Sequence, residues 1–210
     1  MLIKNLCTSV PIRVHLWFIS KKEEDMADEL GHIRRRLAEE GEKTVTFFET
    51  LSPPDWEQQV YTVGSQWRVR QVLAHFISAE RAYQGYIRDV LQGGQGAPRD
   101  MDIDAFNDAE APTLSVNPIA ELISALRQAR ADTISLTETL EESDLARNGY
   151  HPWFGEKNLA WYLKLLYRHH TMHLQDVRKS LDTSDTVPHS DVHRTGRQIN
   201  PPSPAAPAEE

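Results

Sequence analysis

Histidine supplies most of the chemistry available to this chain. Nine are present, and two of them, His169 and His173, stand four residues apart within a stretch of helical periodicity. Four residues along an α-helix amount to about 40° around the axis and about 6 Å along it. Both imidazoles can therefore reach one point in space, as helical His-x-x-x-His pairs do when they hold a metal ion. With Leu163, Leu166 and Val177 at the centre of the apolar stripe, the pair lies on its flank, where a groove between helices would begin. His75 belongs to another helical stretch and shares a flank with Val72, Ala79, Ala82 and Tyr86; the two alanines leave room beside an imidazole. If the two helices meet, three neutral histidines can surround one cation and leave its other positions open, the ligand set of a catalytic rather than a closed structural site. A histidine on an amphipathic helix is more often an ordinary packing residue, and His170, nearer the centre of the stripe, makes a 170/173 pair possible as well. Spacing alone leaves both pairs open.

The elements that must position these residues are four long amphipathic segments. The first is predicted from Asp28 to Leu51, with Leu30, Ile33, Leu37, Val45, Phe47, Phe48 and Leu51 as core candidates; Ser52-Pro53-Pro54 stops it. After a linker at Val60–Gly64, the second is predicted from a Ser65 cap to Leu91, its stripe running through Val69, Leu73, Phe76, Ile77, Tyr83, Ile87 and Val90, and Gly93-Gly94-Gln95-Gly96 ends it. Residues 97–115 are acidic, hold Pro98 and Pro112 and show no period, which predicts a loop. The third helix starts with Asn117 as cap and Pro118 at its first position and continues to about Glu141. The linker 142–156 holds Gly149, His151-Pro152 and Gly155, and the fourth helix is predicted from Lys157 to Leu181. No strand pattern of convincing length and no internal repeat is present. Four helices each apolar on one side predict an all-α four-helix bundle over residues 26–183, and the two long connections leave its topology open.

The two ends read differently. From 184 to 210, with Pro188, Pro201, Pro202, Pro204 and Pro207, too little apolar surface remains to offset ordering entropy, so a disordered tail is expected. Residues 1–25 are expected to be an extension. Lys and Glu codons consist only of purines, so Lys21-Lys22-Glu23-Glu24 ahead of Met26 reads as an untranslated ribosome-binding sequence, with Met26 the true start, or else the segment is a disordered extension. A peptide from residues 1–25 in protein made from its native promoter would contradict the first alternative. Pro11, Arg13 and His15 break the apolar stretch, which argues against a signal peptide.

Bulk properties narrow the function. The chain has 210 residues, enough for one domain with a substantial core. Its net charge of −8 argues against a sequence-independent nucleic-acid binder, which needs a basic face. One cysteine, Cys7, excludes an internal disulfide framework and a Cys-rich zinc site and suits a cytoplasmic location. No run approaches the roughly 18 apolar residues of a membrane span.

Three motifs now carry a resemblance. Trp67-Arg68-Val69-Arg70-Gln71-Val72-Leu73-Ala74-His75-Phe76, then His151-Pro152-Trp153-Phe154-Gly155-Glu156-Lys157-Asn158-Leu159, then His169-His170-Thr171-Met172-His173 follow in the order and separation found in the DinB-like superfamily, which includes YfiT-type proteins. The chain resembles that family over about residues 28–181. The resemblance implies a four-helix bundle, commonly a homodimer. It also implies a divalent cation (Zn, Ni, Mn or Fe) held by His75, His169 and His173, with His170 not a ligand. For activity it implies metal-dependent action on a small molecule: transfer or isomerisation with a low-molecular-weight thiol, or hydrolysis. Asn158 stands where the family usually has Thr, and Leu174-Gln175 where Arg-Gly is more familiar. Asp104 and Asn107 are candidate pocket contacts, and Glu80 and Asp176 candidate carboxylates orienting a ligand ring. The alternative from another class is a non-catalytic, stress-related metal-binding protein whose ion supports folding.

Overall fold

A computed structural model describes residues 28–188, so the expectations for residues 1–25 and for 189–210 fall outside the described part. Four long helices form the body: α1 (Glu29–Glu49) and α2 (Val69–Leu91), then, after a shorter α3 (Ile103–Ser115), α4 (Ile119–Glu138) and, after a two-stranded hairpin, α5 (Leu159–Thr183). α1 packs on α4 and α5, and α2 packs on the same two, so the bundle is a ring in the order α1–α4–α2–α5. The consecutive helices α1 and α2 thus sit across a diagonal. This resolves the topology that pattern alone left open, and it makes α2 and α5, the two histidine-bearing helices, neighbours.

Most positions of the predicted stripes are buried, with Phe47 and Leu51 only half-buried. Leu30, Ile33, Leu37, Val45 and Phe48 of α1, Val69, Leu73, Phe76, Ile77 and Ile87 of α2, and Leu163, Leu166 and Val177 of α5 are all almost wholly buried. Burial of such side chains drives assembly of helices that are marginal alone.

Four local expectations are corrected. Residues 97–115, expected as a loop, contain the helix α3. Asp102 caps it, its carboxylate accepting from the Asp104 and Ala105 amides at 3.0 Å; Pro112 and the few buried positions hid it. Helix α2 starts at Val69 rather than after a Ser65 cap. Residues 58–60 and 67–69 are held extended by Val60 N–H donating to Trp67 O (2.8 Å) and Val69 N–H to Gln58 O (3.0 Å), and this pairing outweighs the cap. The 142–156 linker holds a 3-10 turn, Glu142–Ala146, and the antiparallel strands β1 (Asn148–His151) and β2 (Gly155–Asn158), each too short for alternation to be legible. Residues 184–188 were expected to begin the disordered tail. They instead turn back at Ser184 (φ 53°) and bury Val187 beside Val60, with Val187 N–H donating to Val60 O at 2.8 Å. At the start of α5 Asn158 does the capping work of the usual Thr, accepting from Trp161 N–H at 3.0 Å.

A buried polar cluster ties the four helices together at the bundle axis. Arg130 of α4 is 4% exposed and pairs with the fully buried Glu80 of α2, donates to Leu37 O of α1 at 3.0 Å, and meets His170 Nδ1 of α5 at 3.0 Å. Thr133 donates to the other Glu80 oxygen. The cluster needs space: a Cβ on Gly41 would stand 2.7 Å from Arg130 Cγ.

Candidate metal centre

The α2–α5 seam brings His75, His169 and His173 together. The Nε2 atoms of His75 and His169 are 3.0 Å apart, those of His169 and His173 2.9 Å, and one ligand atom from each of the three lies within 4.8 Å of the others. The spacing on α5 sets one pair, and the neighbouring position of α2 in the ring brings the third.

These contacts suit a shared cation. An imidazole nitrogen carries either one hydrogen or one lone pair, so His169 Nε2 cannot satisfy two ring nitrogens at hydrogen-bond distance. Three lone pairs directed at one divalent ion fit the arrangement, and imidazole is a suitable ligand for zinc and its first-row neighbours.

The surroundings fix the rings. Tyr61, fully buried, places its hydroxyl 2.6 Å from His173 Nδ1. With the hydrogen on Nδ1 donated to the Tyr61 oxygen, the Nε2 lone pair faces the triad, the arrangement that orients and strengthens a histidine ligand. Trp67 lies tilted against His75 with ring centroids 4.7 Å apart. His170 points elsewhere. Its ring stacks on Phe76 at 4.1 Å, and its Nδ1 accepts from Arg130. Burial first, then the Arg130 guanidinium, hold its pKa well below the usual histidine range. His170 is thus turned toward Arg130 and Glu80 at the bundle axis, and the histidine cluster is formed by His75, His169 and His173.

Other candidates separate similarly. Glu80 serves Arg130, not a triad ring. Asp176 is buried at 7% exposure rather than lying on the surface. Asn107 lines the cavity described next, whereas Asp104, one turn earlier on α3, is exposed and outside it.

His75 and His169 form part of the wall of a cavity of about 240 Å³. Its other walls are mostly apolar and aromatic: Tyr86 and Ala79 of α2, Ile103 and Phe106 of α3, Trp153 and Phe154 of the hairpin tip, and Leu165 and Met172 of α5. Arg168 and Asn107 add the polar groups beside the histidines. Burial pushes the Tyr86 phenol up to about 12, so it stays neutral, and it donates to the Met101 thioether.

His151 holds the hairpin tip in place. Its Nδ1 accepts from Trp153 N–H at 3.1 Å, leaving Nε2–H for the Tyr83 oxygen at 2.7 Å. Burial, with Lys157 nearby, lowers its pKa to about 4. The His-Pro motif thus supports the cavity wall and lies apart from the triad. Sequence reasoning missed Tyr61, Arg168, Trp153 and Phe154 as site residues. For α3 a signal existed: Ile103, Phe106 and Asn107 at i, i+3 and i+4 behind an Asp cap.

Comparison with known proteins agrees with this picture. A family model described as the DinB superfamily matches residues 36–177. Proteins named "Putative metal-dependent hydrolase" from Bacillus cereus and Bacillus thuringiensis subsp. konkukian are each 31% identical over 125 residues, 58% of this chain and 70% of theirs. A Bacillus mycoides protein of the same description is 30% identical over the same span. Among solved structures, YfiT from Bacillus subtilis, described as "a probable metal-dependent hydrolase with an unusual four-helix bundle topology", superposes with a TM-score of 0.55 at 16% identity, covering 87% of this chain and 94% of that one. That likeness bears on the fold. No helix among the described residues is long and apolar enough to cross a membrane.

Proposed function

The chain belongs to the DinB superfamily, and on that premise we propose that it is a metal-dependent hydrolase of a small molecule, with His75, His169 and His173 as the metal ligands. The observation that carries this reading is the convergence of three histidines, two of which, His75 and His169, line a cavity large enough for a small molecule. A divalent ion held there would polarise a carbonyl or phosphoryl oxygen and lower the pKa of water toward neutrality. The chain's own residues do the rest. Tyr61 fixes the His173 tautomer, Trp67 backs His75, and the aromatic walls exclude bulk water and seat the apolar part of the substrate, which strengthens every polar interaction inside.

A second reading, transfer to a low-molecular-weight thiol, is favoured by one feature. Among the described residues no carboxylate lines the cavity to take a proton from water, and a thiol needs less help because its pKa is already near 8.5. A homodimer and a cytoplasmic location belong to the same proposal, and gel filtration with light scattering checks the first.

The experiment is elemental analysis of protein purified without chelators, followed by turnover of an ester and amide panel and of an electrophile panel with and without thiol. Metal-dependent turnover that is lost with His173→Ala, alongside retained helicity, is the expected result. Metal bound with no turnover in any arm, together with a large fall in melting temperature on chelation, would favour the non-catalytic alternative.

A further inference from the structure

The cavity carries a charge opposite to that of the chain. Among the described residues its lining includes no aspartate or glutamate, and, histidines aside, its one group of fixed charge is Arg168, in a protein whose net charge is −8. Three neutral imidazoles would leave the charge of a divalent ion uncompensated, so the two features add. Several other arginines hold carboxylates: Arg68 and Arg70 with Glu57, Arg99 with Glu156, Arg127 with Glu42 and Glu49, Arg147 with Asp144. Arg168 holds none among the described residues; its exposed guanidinium lies 6.0 Å from the Tyr167 ring centroid, and its side chain lines one side of the aromatic chamber. Asn107, on the α3 side, brings an amide able both to donate and to accept.

Resting on the hydrolase reading above, we propose that the substrate is a small carboxylic acid with an apolar body, its carboxylate read by Arg168 and its scissile ester or amide over the histidine triad. The guanidinium fork matches a carboxylate in a way that a point charge does not. Trp153 and Phe154 take the apolar body. Arg168 and His169 both line the cavity, so one small molecule can meet the guanidinium and the triad together. A cavity of about 240 Å³ is below the roughly 300–1,000 Å³ of drug-sized pockets, which points to a single-ring or short-chain acid. Arg168 is exposed, so solvent screens the pair and the expected discrimination is modest, about two- to fivefold.

The test compares phenylacetate with its neutral isostere phenylacetamide by calorimetry on the full chain, both as purified and after chelation. Using chelated protein removes direct metal–carboxylate binding as an explanation. Chelated wild type is expected to bind the acid about two- to fivefold more tightly than the amide, and Arg168→Gln to bring the ratio to near one. Arg168→Lys should recover only part of it. Equal affinities in the chelated wild type, a ratio that survives Arg168→Gln, or no binding of either probe at millimolar concentration overturns the proposal. Circular dichroism of the variants checks the fold, which an exposed side chain should not disturb. The two readings fail separately. Absence of ester or amide turnover by metal-loaded protein counts against the hydrolase, whereas the acid-to-amide ratio in chelated protein decides the substrate class.

Discussion

Tyr61 meets His173 at 2.6 Å from 112 residues away in the chain, out of a linker with neither period nor motif. Tyr61→Phe keeps the ring and its packing and deletes one acceptor. The His173 Nδ1–H then loses its partner, and the tautomer that exposes Nε2 is no longer enforced. Metal affinity should fall about 10–100-fold in competition with a chromophoric chelator, and unchanged affinity would remove Tyr61 from the site. His170→Ala should keep the metal, because that ring faces Arg130. Helical spacing made a histidine pair on α5 legible, and the family resemblance added His75 to it and chose His169 over His170; a contact such as Tyr61–His173 exists only once the fold brings a loop to a helix. His151 gives a second test at this scale. Its folded pKa of about 4 lies below the ordinary 6.5, so between those values the unfolded chain binds the extra proton and stability rises with pH. The contribution is intact above about pH 6.5 and lost as pH falls toward 4. In urea unfolding of chelated protein, the wild type should lose about 1–2 kcal/mol more than His151→Asn between pH 7 and pH 5. Parallel losses would show that His151 is not buried neutral.

The segment 184–188 shows how an element can escape composition. Five residues with a single apolar side chain, Val187, cannot form a core of their own, and the surrounding prolines and polar residues read as tail. The segment is ordered through borrowed partners: Val187 N–H donates to Val60 O at 2.8 Å, Thr62 N–H donates to Val187 O at 3.0 Å, and the valine itself is buried. These two hydrogen bonds flank Tyr61 and so support the residue that orients His173. Ending the chain after Thr183 should therefore cost about 2–3 kcal/mol for one buried valine and its backbone pairs, and it should weaken metal binding. Ending it after Pro188 should do neither. Chelator competition and urea unfolding on the two truncations check this, and equal behaviour would show that the segment does not support the site. Helix α3 was missed for a related reason. Its inner face is short, with Ala111 and Ser115 as its buried residues, so the usual stripe is absent although the Asp102 cap is present.

At the scale of the whole molecule, the ring order α1–α4–α2–α5 creates both the site and the problem at its centre. Placing α2 beside α5 joins His75 to the His169–His173 pair. The same arrangement turns one face of each helix toward the bundle axis, where Arg130 reaches Leu37 O, Glu80 and His170 from three different helices. Periodicity could not reveal this, because a strongly charged arginine on an otherwise apolar stripe is ordinarily assigned to the surface. Such a cluster gives little net stability compared with well-packed apolar residues, but removing one partner strands a charge away from water. Arg130→Met should therefore destabilise the chelated protein by about 3–5 kcal/mol, whereas adding Glu80→Gln to it should restore part of the loss, since the stranded carboxylate is then neutral. A coupling of at least about 1 kcal/mol in the double-mutant cycle is the expected outcome. If the two substitutions instead added, the ion pair would not be the device that holds the four helices in this order, and packing around Gly41 and Phe76 would have to carry that role alone.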